Sequence, residues 1–192
     1  MALVLIAGPA VEPVSLAEAK AHLRIDGAAE DALVGSLIVT SRLHVETATS
    51  LALITQSWSY VFDTWPRAAS VKLPVRPVQS ISAVRLHDEN AVATTLAPET
   101  YMLDGGGTPA RLIRYGAPVW PRPGRRANGI EIAFTAGFGD AASDVPGPIR
   151  QAILLLIAHW YENRSPFEPG GEVEPAPHMV AELLSPYRER RL

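Results

Sequence analysis

The sequence predicts an α+β fold: a small helical core made of two N-terminal helices and a long helix near the C-terminus, interrupted by an antiparallel β insertion and followed by an extended tail. Three observations predict it. Apolar residues keep helical spacing before residue 50 and again over 146–164, the spacing turns to alternation at Ile54, and the composition turns to Pro, Gly and Glu after residue 164. The domain expected is therefore 1–164, with helices over 15–24, 29–50 and 148–163, a β insertion over about 55–138, and a separate tail over 165–192.

The opening stretch, MALVLIAGPAVEP, has a short apolar run that meets Pro9 with no Lys or Arg before it, so it lacks the parts of a signal peptide. Ser15 and Glu18 then form a capping box, and Leu16, Ala19 and Leu23 give the helix that follows one apolar stripe. Asp26-Gly27 breaks it. Acidic Glu30 and Asp31 suit the positive end of a second helix, whose buried face is expected at Val34, Leu37, Ile38, Ser41, Val45 and Ala48, with Arg42 and Glu46 outside.

In the middle of the chain Trp58, Tyr60 and Phe62 alternate with Ser57, Ser59 and Val61, and further strands are predicted over 70–73, 78–86, 92–96, 99–103, 110–115 and 129–135. DEN, DGGGTP and PRPGRRANG separate them as turns. The alternation is clearest at Ile130, Ile132 and Phe134. The long helix is bracketed by Asp144, Pro146 and Pro148 before it, with Asp144 read as a capping carboxylate, and by SPFEPGG after it. Its stripe, with Ile153, Leu156, Ile157 and Trp160 as candidate core, is matched by a nearly apolar opposite side at Leu154, Leu155 and Tyr161. Such a helix needs neighbours all round, and its apolar run is too short to cross a bilayer, so no membrane is expected.

The tail holds Pro166, Pro169, Pro175, Pro177 and Pro186, then HMVAELL and a basic end. A spacer followed by an apolar and then a basic patch suits a segment that orders on a partner. The candidate docking residues are Phe167, Met179, Val180, Leu183, Leu184, Tyr187, Arg188, Arg190 and Arg191. The other reading is an end that packs back on its own domain.

Little in the chain points to catalysis. It has no cysteine, hence no disulfide, thiolate metal site or cysteine nucleophile, and its net charge of −3 excludes a broadly basic nucleic-acid binder. His22, His44, His87, His159 and His178 show no metal-ligand spacing, Gly105-Gly106-Gly107 reads as a hairpin turn without a following GK[ST], and GxSxG is absent. No catalytic, cofactor or metal site is expected. Arg122, Arg125 and Arg126, and the terminal arginines, read as loop charge or as protein contacts, and Trp65-Pro66 and Trp120-Pro121 as anchors at strand ends.

Five pieces in a fixed order carry a resemblance: EPVSLAEAKAHLRI at 12–25, TQSW and DTWP within 55–66, LPVRPVQSISAV at 73–84, FTAGFGD at 134–140 and VPGPIRQAILLLIAHWYENR at 145–164. Over about residues 10–164 the chain resembles the head-tail connector (adaptor) family of long-tailed bacteriophages and phage-derived gene transfer agents. The resemblance implies a structural virion protein, made in the host cytoplasm and assembled as a ring of twelve copies beneath the portal. It further implies portal docking through residues 167–192, a tail-side stopper or tail terminator as the next partner, DNA passing non-specifically through the channel, and neither catalysis nor cofactors. A cytoplasmic enzyme and a nucleic-acid-binding regulator remain as the alternatives, marked by a deep polar pocket or by a dimer with a basic groove-sized helix.

Overall fold

Ser15 caps the first helix, α1 (Leu16–Leu23), in the computed structural model, which describes residues 1–67, 70–116, 119–163 and 178–188. Both halves of the box form: the Glu18 amide donates to Ser15 Oγ at 3.2 Å, and the Ser15 amide donates to Glu18 Oε2 at 2.9 Å. Arg24 ends the helix in the left-handed region at φ 57°. The two Ser15 hydrogen bonds, with Arg150 adding its charge, hold the Glu18 carboxyl below its ordinary 4.5. A lowered folded value means that this contribution is complete above 4.5 and is lost as pH falls through the folded value. Glu18→Gln should therefore be less stable than the parent at neutral pH, and the gap between their melting temperatures should shrink as pH falls below 4.5; a gap independent of pH would refute the assignment.

The second helix, α2 (Asp31–Thr49), buries Val34, Ile38, Ser41, Arg42, Val45 and Thr49. Arg42 thus lies inside, not on the outer side, whereas Ala48 is exposed and Leu37 half-buried. The reason for Arg42 is its pairing: Nε reaches Glu12 and Nη1 reaches Glu46, each at 2.8 Å. Burial alone would lower its pKa, but the two carboxylates outweigh it and raise the value. Arg42→Ala would strand two carboxylates, only 29% and 11% exposed, without their cation. It should cost about 3 to 5 kcal/mol in urea denaturation, with part recovered by adding Glu46→Gln; a loss under about 1 kcal/mol would show that solvent already screens the group.

The long helix is α3 (Gly147–Glu162), and a short α4 (His178–Leu184) follows the tail spacer. Asp144 does not cap α3, which starts at Pro146 without a side-chain cap. Its carboxylate instead accepts from the Ala141 amide at 3.0 Å, closing the preceding three-residue 3-10 turn. α3 packs with α1, α2 and α4, and α1 with α2, in a unit of residues 10–54 and 139–192, in which Ile149, Ala152, Ile153, Leu156 and Ile157 have no exposed surface. Arg150 ties α3 to the start of α1, donating to the Pro13 carbonyl at 3.0 Å and pairing with Glu18.

The strands form a second unit, residues 1–9 and 55–138. The boundary between the units therefore separates strands from helices, with residues 1–9 on the strand side and α4 on the helix side, where the sequence suggested a domain ending at residue 164. The expected strands appear as β2 (Gln56–Phe62), β3 (Ser70–Lys72), β4 (Val78–His87), β5 (Ala93–Thr95), β6 (Tyr101–Asp104), β7 (Arg111–Arg114) and β8 (Ile130–Ala136). One strand was not anticipated: β1 (Ala2–Ala7), the apolar run read as a lead. Two antiparallel sheets result, one in the order β1-β2-β8-β4-β5 and one in the order β3-β7-β6. β8 is central to the first, and its side chains alternate between buried and half-buried along its length. Gly105-Gly106-Gly107 lies in the connection between β6 and β7, where Arg111 Nη2 pairs with Asp104 at 2.6 Å.

Candidate functional site

α3 places the expected core residues on one face, but not equally deep. Ile153, Leu156 and Ile157 are fully buried, whereas Trp160 is half-buried, its ring edge-on to His44 of α2 at 5.6 Å. Trp160 stands on the last turn of the helix, where α3 ends two residues on at Glu162.

The tail residues fall into three groups. Val180 and Leu184 are buried, at 4% and 1% exposure, where α4 packs on α3. A helix that is apolar all round needs cover, and α4 supplies some of it from the same chain. Two of the expected docking residues are thus occupied internally. Met179, at 58%, and Arg188 are exposed, and Leu183 and Tyr187 are half-buried, so these four keep surface for another molecule. Phe167, Arg190 and Arg191 lie outside the described residues.

A cleft of about 650 Å³ opens in the strand unit among Asp63, Trp65, Arg67, Trp120, Arg122, Arg125 and Arg126, with neighbouring Pro and Gly. Trp65 and Trp120 stack at 4.2 Å and 12°, and Trp65 Nε1 donates to the Pro121 carbonyl at 2.8 Å, so the two Trp-Pro pairs form one anchor. Phe62 meets Trp65 edge-on, and the Arg114 guanidinium lies 5.5 Å from the Trp120 ring centre. Trp120 is thus held between Trp65 and Arg114 and Trp65 has one face stacked on Trp120, which leaves the arginines as the charged chemistry of the cleft. Four arginines against Asp63 make its lining +3, in a chain of net charge −3. The loop that carries them is fixed: the Gly124 and Arg125 amides both donate to the His87 carbonyl at 3.1 Å, and the Asn128 amide donates to Asp63 at 2.7 Å. At Gly129 a Cβ would stand 2.6 Å from the Arg125 carbonyl oxygen, so only glycine fits the return of that loop. The repeated Trp-Pro dipeptide was the signal for this cleft, and each copy on its own read as a strand-end anchor.

Among the described residues no group of three His, Cys, Asp or Glu side chains is placed to hold a metal ion, and no helix is long and apolar enough to cross a membrane.

Comparison with known proteins bears on the assembly reading. Residues 13–99 match the family model described as the phage gp6-like head-tail connector protein. No curated protein sequence matches the chain. Three solved structures match all of this chain and 97% of theirs at 29% identity: the neck of an empty gene transfer agent particle computed with C6 symmetry, the virion of a native gene transfer agent particle, and the neck of a native particle computed with C12 symmetry. Their TM-scores are 0.87, 0.83 and 0.82 respectively. The chain is thus similar to head-tail connector proteins over residues 13–99, and to gene transfer agent neck proteins in fold over its whole length.

Proposed function

We propose that the protein is a structural head-tail connector of a tailed phage or gene transfer agent particle, a ring beneath the portal that joins the DNA-filled head to the tail. The observation that carries this is the match of the entire chain to neck proteins at 29% identity. Twelve copies agree with the C12 symmetry of one such neck, and a C12 ring also contains the C6 operator of another. In this reading the protein acts by assembly, as the neck proteins it resembles are parts of a particle.

Its partners in this reading are its own copies, the portal through the exposed part of the tail, a stopper or tail terminator on the tail side, and DNA in the channel. For DNA the arginine cleft supports contact to phosphates, because its lining is net positive and Trp65 and Trp120 are stacked on each other. A regulator that reads sequence would need a side chain or helix to reach base edges, and the cleft offers a loop instead. Electron microscopy of assembled particles should find the protein as a ring at the portal vertex. An isolated dimer, or a vertex without it, would overturn the proposal.

A further inference from the structure

The five-stranded sheet ends on two edges that differ from each other and that no described residue covers. β1 is paired only with β2, and β5 only with β4. Every residue of β1 is exposed, with Leu3, Val4, Leu5 and Ile6 between 39% and 64%. Residues 1–11 contain no charged side chain. Exposed edges are ordinarily blunted by lysine, proline or a covering element; here the strand carries only a register irregularity between Leu5 and Ala7. The far edge is equally neutral. Residues 90–98, NAVATTLAP, are without charge, all of β5 is exposed, and Val92 is 61% exposed.

Strand direction decides how such edges can be used. The four pairings from β1 through β2, β8 and β4 to β5 are all antiparallel, so after four reversals β5 runs in the same direction as β1. Two copies meeting β1 to β1 about a two-fold axis would close at a dimer. Copies repeated in one sense bring β5 of one beside β1 of the next, in parallel. That contact joins two different edges and so can continue around a ring. The long crossover that parallel strands need within one chain does not arise between copies. Two edges without charged side chains also meet without burying a side-chain charge along the joint.

We propose that β1 of each copy docks along β5 of the next, so that the sheet runs on from subunit to subunit around the ring. This rests on the ring reading above and adds to it the surface that builds the ring. β5 is three residues long and β1 six, so the remainder of β1 covers the neutral stretch flanking β5.

The chain has no cysteine, which makes cross-linking clean. Ile6→Cys with Thr94→Cys in the full-length protein, treated in assembled particles with a short bis-maleimide, should give a ladder of covalent oligomers, and neither single variant should. Val4→Lys with Ile6→Lys, at exposed positions, should leave the melting temperature unchanged while ring occupancy falls by about tenfold or more, as charges do at an edge meant to pair. Rings seen by microscopy without the ladder would overturn this contact and leave the ring reading standing. Absence of any ring would remove both. A covalent dimer from Ile6→Cys alone, cross-links only to another particle protein, or full occupancy with both lysines would each overturn the β1–β5 joint.

Discussion

Replacing Leu156 by alanine is expected to lower stability by about 2 to 5 kcal/mol, the range for emptying a fully buried leucine site. Leu156 has no exposed surface, and it sits on a helix that packs with α1, α2 and α4, so the cavity left behind has neighbours on several sides that cannot all collapse into it. Trp160→Ala should cost less despite the larger side chain, because Trp160 is only half-buried, its ring meeting His44 edge-on. Chemical denaturation followed by the helical far-ultraviolet signal measures both. If Trp160→Ala proves the more damaging of the two, the centre of the helical unit lies nearer the end of α3 than the burial pattern places it.

Deleting residues 165–192 is expected to abolish head-tail joining while leaving a folded protein, and the two roles of the tail can be separated within it. Val180 and Leu184 cover α3, so serine at both should destabilise the helical unit by about 2 kcal/mol or more. Met179 and Arg188 are exposed and Leu183 is half-buried, so on the proposed docking role Met179→Ser, Leu183→Ser and Arg188→Glu together should leave the melting temperature within about a degree and reduce recruitment to heads. A single short segment binds weakly after its ordering cost, but tails held together in a ring act at high effective concentration. The effect in particles should therefore greatly exceed that on one isolated chain. Heads that take up the truncated protein at normal occupancy would remove the docking role.

Much of this was legible in the residues because each element carried one dominant signal. Ser15 and Glu18 mark the start of α1 by chemistry that works the same way in any context. Ile130, Ile132 and Phe134 alternate because β8 is central and is flanked by strands on both sides. What escaped was decided by partners distant in sequence. β1 has no alternation to show, since both its faces are open and apolar. Arg42 read as an outer charge because its second carboxylate, Glu12, is 30 residues away. Trp65 and Trp120 each looked like a lone anchor, and only the fold of residues 55–138 stacks them. The tail's apolar patch could pack on a partner or back on its own chain, and α4 buries Val180 and Leu184 while Met179 stays exposed.

The pairing of β1 with β2 sets the order of synthesis against the order of folding. Ala2 pairs with Val61, so both N-terminal helices are translated between the two strands. At about 5 to 20 residues per second, roughly 3 to 12 seconds pass between the emergence of β1 and that of its partner. For that interval the nascent chain carries an uncharged apolar segment with nothing to pair with, the kind of sequence that trigger-type chaperones and aggregation both capture. Slowing translation over residues 10–55 should therefore lower the yield of native protein, and restoring the pace should bring it back.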